Sequence, residues 1–215
     1  MDRSIRIHET EPTVKLTLTQ FVTLDGVHQA PGGPEEDRSG GFEHGGWSFP
    51  YDDEDFGAFV TEAFGRVDAF LLGRRTYDIF AGYWPEHTDP SDPVAGKLNA
   101  LPKYVASKTL TSGDWAGTRF IGGTDLVKDV IALKEQPGRE LQIHGSGTLA
   151  AYLLRHDLID TLHLLTFPVV LGTGKRLFEE GAVPTAFRHT ATRTTGKGVV
   201  ISSYDLEGRP TYGSF

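Results

Sequence analysis

The strongest constraint on the fold is a pattern that the chain uses twice: a short apolar run, a glycine, and then apolar residues at helical spacing. VDAFLLG (67–73) passes into RRTYDIFAGYW, where Tyr77, Phe80 and Ala81 repeat as one face of a helix, and LQIHGSGTLAAYLLRHD (141–157) does the same. A strand that hands over to a helix at glycine is the building unit of a parallel sheet, because the helix carries the chain back across it. Residues 14–22 (VKLTLTQFV) alternate in period two and read as the first strand, and 103–107 and 118–121 as two more. Residues 125–135 predict a helix with Leu126, Val127, Val130, Ile131 and Leu133 inward, ended by Pro137 and Gly138. Phe56, Phe59, Val60, Ala63 and Phe64 predict another, with Asp52 to Asp55 favourably placed at its amino end. Residues 159–172 read as a long apolar strand, and 186–194 and 198–206 as a hairpin turning at Thr195, Gly196 and Lys197. The expected class is therefore α/β: a central, mostly parallel mixed sheet flanked by helices, with an antiparallel hairpin at its C-terminal edge.

Composition narrows the function. With 215 residues and no internal repeat, a single domain over 14–215 is expected, preceded by a loosely held extension over 1–13. The absence of cysteine removes disulfides, thiolate metal sites and cysteine nucleophiles, and a cytoplasmic location is the expectation that goes with it. The apolar run 162–171 is broken by His163, Thr166 and Pro168 and falls short of the ~20 residues a membrane span needs, so no membrane partner is expected. A net charge of −8 argues against nucleic acid, whose binding rests on phosphate neutralisation. The basic residues are local instead: Arg74 and Arg75, Lys103 and Lys108, and Lys175 and Arg176 lie beside glycine, serine or threonine, which suits a small phosphorylated ligand.

Three turns carry that expectation. Gly145-Ser146-Gly147-Thr148-Leu149-Ala150 fits G-x-G-x-x-A between a strand and a helix, where missing side chains let the backbone close on a pyrophosphate. The acidic residue that a Rossmann site places about 20 positions on is absent; Leu164, Leu165 and Thr166 stand there. Gly73-Arg74-Arg75-Thr76 offers a hydroxyl and guanidinium groups at a second strand-to-helix turn, and Ser107-Lys108 a hydroxyl and an ammonium at a third. A nucleophile elbow at Ser146 would need glycine at His144 and Thr148, and a P-loop at 172–176 would need a hydroxyl at Arg176. The eight histidines form no H-x-x-x-H pair, so no metal site is expected.

Taken in order, Phe21-Val22-Thr23-Leu24-Asp25-Gly26, Leu72 to Tyr77, Val105 to Leu110, Gly145 to Leu149 and Asp160 through Pro168 to Phe178 resemble the dihydrofolate reductase-like superfamily. Within it the chain is similar to the C-terminal reductase domain of bifunctional riboflavin-biosynthesis deaminase/reductases, without the deaminase half. The resemblance implies a three-layer fold that binds NADPH across the strand ends. Gly73, Arg74 and Thr76 would hold phosphates, Ser107 and Lys108 would lie near the 2′-phosphate, Gly145, Ser146, Gly147 and Thr148 would cradle the pyrophosphate, and Thr23, Leu24, Asp25 and Gly26 would border the nicotinamide.

The expected activity is hydride transfer from NADPH to a small planar substrate, pterin-like or pyrimidine-like, under a lid formed by the 28–51 loop. Asp25 and Asp55 are the candidate proton carriers, and Trp47, Phe49 and Tyr51 the candidate substrate-stacking residues. The same aromatics would equally serve to pin the loop to the core. A non-catalytic nucleotide-binding protein and a flavin-associated reductase remain open on this fold. A homodimer is suggested by the resemblance and by the apolar strand at 159–171.

Overall fold

The structure, a computed structural model, describes residues 13–214. The expected extension over 1–13 lies outside the described residues except for Thr13, which makes an isolated antiparallel bridge to Pro137. Eight strands form one sheet: β1 (Lys15–Thr23), β2 (Val67–Gly73), β3 (Lys103–Ala106), β4 (Thr118–Ile121), β5 (Glu140–His144), β6 (Thr161–Phe167), β7 (Ala186–Thr194) and β8 (Val200–Gly208). Their spatial order is β4-β3-β2-β5-β1-β6-β8-β7. Every pairing from β4 to β6 is parallel, and β8 joins β6 and β7 antiparallel, as the alternation of strands and helices predicts.

Five α-helices complete the layers: α1 (Glu54–Arg66), α2 (Arg74–Ala81), α3 (Pro93–Ala100), α4 (Leu126–Lys134) and α5 (Gly147–Arg155). Successive strand residues point to opposite faces, so Leu16, Leu18, Leu71 and Ile143 meet Val130, Leu149, Ala150 and Leu153 of α4 and α5. Phe70, Leu72 and Val105 meet Phe64, Tyr77 and Leu98 of α1, α2 and α3 on the other side. A third cluster gathers Phe59 and Ala63 of α1 with Phe167, Ile201 and the loop residues Phe42 and Trp47.

Departures from the sequence pattern have local causes. The apolar run 159–172 stops as a strand at Phe167, since Pro168 has no N–H to donate to a ladder. Helix α3 was not signalled by periodicity: it buries only Ala95 and Leu98, although Asp92 followed by Pro93 is a helix-start signature and the Asp92 carboxylate does accept from the Val94 and Ala95 amides. Ile131, expected inward, is 41% exposed because α4 buries only Val130 fully against the sheet. Among the described residues, no helix is long and apolar enough to cross a membrane.

Candidate functional site

Helix capping separates two helices from the rest. Asp53, Asp92 and Asp125 cap α1, α3 and α4 by accepting the first backbone amides. Helices α2 and α5 begin at Gly73 and Ser146 with no side-chain cap. Their leading N–H groups therefore keep their donor capacity, and both helix dipoles point it the same way. The two turns touch: the Gly73 amide donates to Ser146 Oγ at 3.0 Å, and a Cβ at Gly73 would stand 3.4 Å from the Ser146 side chain. Gly145 (φ 60°) and Ser146 (φ 54°) are both left-handed, which turns the backbone sharply from β5 into α5.

A cavity of about 980 Å³ opens in front of these turns, at the carboxyl ends of β1, β2, β3 and β5, where open parallel sheets bind ligands. Its polar wall includes Gly73 to Thr76, Ser107, Lys108 and Gly145 to Thr148. Its apolar wall is built from Phe64 of α1, Ile79 and Phe80 of α2, Trp84, and Val94 and Leu98 of α3. The 28–37 stretch closes one side with His28, Gln29, Glu36 and Asp37.

Three cations around the rim, Arg74, Arg75 and Lys175, are held by carboxylates. Arg74 pairs with Asp78 at 2.7 Å along α2, while Arg75 and Lys175 share Asp37, at 2.6 and 2.7 Å. Burial works against the Asp37 carboxylate, but hydrogen bonds from Lys175 and Ser39 hold its pKa well below the usual range. This cluster ties the 28–51 loop to α2 and to the 172–176 turn. Lys108 makes no side-chain hydrogen bond within the described residues, and Ser107 Oγ accepts from the Thr109 and Leu110 amides, shaping its own turn.

Other expected site residues lie elsewhere. Thr23, Leu24, Asp25 and Gly26 form a closed turn against the 168–177 segment, outside the cavity lining. Asp25 accepts from Thr23 Oγ1 at 2.6 Å, from Gly172 N at 2.9 Å and from Leu171 N at 3.3 Å. The Thr23 hydroxyl is the main cause of its low pKa, about 2, and the same hydrogen bonds clamp the loop. Asp55 also stands away from the cavity, where it accepts from the Gly196 amide at 3.0 Å beside Asp53, which accepts from Lys197 N. The acidic start of α1 thus fastens the β7–β8 hairpin.

The three aromatics of the expected lid do not line the cavity. Trp47 is buried, with Nε1 donating to the Gln29 carbonyl at 2.7 Å and its ring edge-on to Phe167. Tyr51 packs on the same Phe167, and Phe49 is 70% exposed. Trp47 and Tyr51 pin the loop to the core. Lys103, grouped with Lys108 by its neighbours in sequence, is fully buried at the opposite end of β3. Its ammonium donates to the Leu98 and Leu101 carbonyls at 2.6 and 2.9 Å.

Sequence patterns missed the residues that complete the cavity: Gln20 on β1, His28, Glu36 and Asp37 on the loop, and His144 closing β5. Apart from His144, each stands without a motif and is brought in by tertiary structure. One signal was present, since His144 immediately precedes the glycine turn.

The chain matches the model of the RibD C-terminal domain family over residues 14–201. The uncharacterized protein YyaP of Bacillus subtilis (strain 168) is 29% identical over 196 residues, covering 90% of this chain and 96% of YyaP. A crystal structure of a Shewanella sp. PV-4 protein named for riboflavin biosynthesis superposes with a TM-score of 0.64 at 22% identity, covering 90% of this chain and 99% of that one. Dihydrofolate reductase from Enterococcus faecalis, complexed with NADP(H), gives 0.58 at 14% identity over 92% of this chain and 99% of the enzyme. The chain belongs to the RibD C-terminal domain family and has a dihydrofolate reductase-like fold.

Proposed function

We propose that this chain is an NADPH-dependent reductase of a small planar substrate. The observation that carries the proposal is the pair of uncapped helix N-termini, α2 and α5, held side by side by Ser146 at the mouth of one cavity. Two sets of free amides plus the basic rim suit a diphosphate with a further phosphate attached, which is the anionic part of NADPH. The enterococcal enzyme's NADP(H) supports the same cofactor on the same fold.

The donor set fits the group. The amides that open α5 and α2, with the Thr76 hydroxyl, would hold the pyrophosphate, and Arg74, Ser107 and Lys108 the 2′-phosphate end. Bound NADPH would supply a hydride, the chemistry the protein itself lacks. The chain's own contribution is placement. Phe64, Phe80, Trp84 and Leu98 would exclude water and flank a flat ring. Burial raises the pKa of Glu36 above the ordinary carboxylate value, and its Oε2 accepts from the Gly32 and Gly33 amides, leaving Oε1 as the atom where a proton would be held.

The test is a thermal-shift titration with NADPH followed by an oxidation assay over carbonyl, pterin and pyrimidine compounds. NADPH-dependent stabilisation together with turnover of at least one compound is the expected result. Tight binding with no turnover across the panel would make the chain a nucleotide-binding protein instead.

A further inference from the structure

The backbone of His28 is pinned, and its ring is not. The His28 N–H donates to the Lys175 carbonyl at 2.9 Å, Val27 bridges to Arg176, and the next residue, Gln29, accepts from the Lys175 amide at 3.0 Å. The loop and the 172–176 turn therefore fix where the side chain starts, and its own torsions decide where the imidazole lies. The ring is half-buried, lines the cavity and packs on Gly147, the first residue of α5. The three atoms nearest to a Cβ built on Gly147 are Cε1, Nε2 and Nδ1 of this ring, so its nitrogen-bearing edge is turned to the helix start. Among the described residues that edge finds a hydrogen-bond partner only in its own backbone.

The helix it faces has no side-chain cap, Ser146 Oγ accepting from the Gly73 amide instead. The leading amides and the positive end of the helix dipole therefore look onto the same space as the imidazole edge. Burial disfavours a proton on the ring and the Lys175 ammonium adds to it, so the pKa of His28 lies below the ordinary histidine value. The ring's own backbone, Glu179 and Asp37 pull the other way without overcoming burial. The first turn of α5, Gly147 to Ala150, contributes no ionisable side chain, and Glu36, Arg74 and Arg75 complete the charged wall of the cavity.

We infer that His28 is a diphosphate-binding residue whose imidazole edge meets a diphosphate held at the α5 amides and takes up a proton from solvent as that anion binds. The inference deepens the proposed function and rests on a dinucleotide entering this cavity. An imidazolium beside the positive end of a helix is repelled, whereas beside two phosphates it is attracted and donates to a phosphate oxygen. Binding and protonation are thereby linked, and affinity rises as pH falls through the histidine range. The backbone amides and the Thr76 hydroxyl keep one protonation state throughout, so the ring is the member of the site that adapts its charge to the ligand.

The experiment uses the full chain and ADP-ribose, which carries the diphosphate but no 2′-phosphate, and so has no group of its own that titrates between about pH 6 and about pH 8. Calorimetric titration in PIPES and in Bis-Tris, which differ in ionisation enthalpy, counts the protons taken up. Near pH ~7 the parent should take up roughly 0.3–0.8 proton per ADP-ribose, and its affinity should rise at least about five-fold from about pH 8 to about pH 6. In His28→Gln, a polar side chain of comparable reach, uptake should fall to near zero and affinity should vary by less than about two-fold over the same range. Spectra of the parent labelled with ¹⁵N-histidine give a second reading: saturation with ADP-ribose should raise the titration midpoint of His28, which a ring serving only to pack on Gly147 does not do. Binding without proton uptake, uptake that persists in His28→Gln, or a midpoint that stays or falls would each overturn the inference and leave the dinucleotide reading standing. If ADP-ribose does not bind the parent, both fall.

Discussion

The imidazole of His28 lies over the backbone of Gly147: a Cβ added at Gly147 would come within 2.3 Å of His28 Cε1 and 2.5 Å of Nε2. His28 thus covers the first turn of α5, and only glycine leaves room beneath it. Gly147→Ala should cost roughly 1–3 kcal/mol through overpacking. It should also weaken dinucleotide binding by about ten-fold or more, since the displaced ring moves into the cavity. His28→Ala added to Gly147→Ala should restore most of the stability, a coupling that thermal denaturation of the four proteins reads directly. Additive losses would mean that the two residues do not bear on each other.

Asp25 should matter for stability and not for cofactor binding. Its folded pKa is about 2 against an ordinary 3.8, held down chiefly by the Thr23 hydroxyl and then by the Gly172 and Leu171 amides. A depressed carboxylate pKa adds stability that is complete above the unfolded value and lost as pH falls from about 4 toward about 2. Asp25→Asn should therefore flatten the acid limb of a stability profile and lower stability at neutral pH by about 1 kcal/mol. Cofactor affinity should stay within about two-fold of the parent. Loss of turnover at unchanged stability would return Asp25 to a catalytic role.

Lys103 gives a slope of the same sign at alkaline pH. Burial lowers its pKa from 10.5 to about 8, while its ammonium also lies 4.5 Å from the Trp115 ring centroid. The folded protein gives up this proton before the unfolded chain does, so stability should rise as pH goes from about 8 to about 10.5. Lys103→Met should abolish that rise and destabilise the protein by about 1–3 kcal/mol near neutrality, because the Leu98 and Leu101 carbonyls lose their donor. Urea denaturation across this range distinguishes the variant from the parent. A rise that persists in Lys103→Met would assign it to other groups.

Periodicity made the sheet legible: Val67–Gly73, which buries Phe70, Leu71 and Leu72, lies where the pattern sets it, and so do the edge strands Thr118–Ile121 and Ala186–Thr194, although neither buries a residue fully. The glycine turns were legible because backbone conformation demands small residues at Gly145 and close to Ser146. What sequence could not separate was two meanings of one residue type. An aspartate before glycine serves equally as an acid or as a loop clamp, and Asp25 accepts hydrogen bonds from residues nearly 150 positions away. The aromatics of the 28–51 loop had the composition of a lid, yet Trp47 finds its partner in Phe167 on β6. Gln20, His28 and His144 acquire their places through pairing and loop packing, which no local spacing encodes.

The central claim is that the α2 and α5 N-termini and the basic rim hold NADPH, and calorimetric titration with NADPH and NADH tests it most directly. NADPH should bind at least about ten-fold more tightly than NADH, a difference of about 1.4 kcal/mol, and the margin should shrink in Lys108→Ala and Arg74→Ala. Equal affinities for the two dinucleotides, or binding of neither, would contradict it.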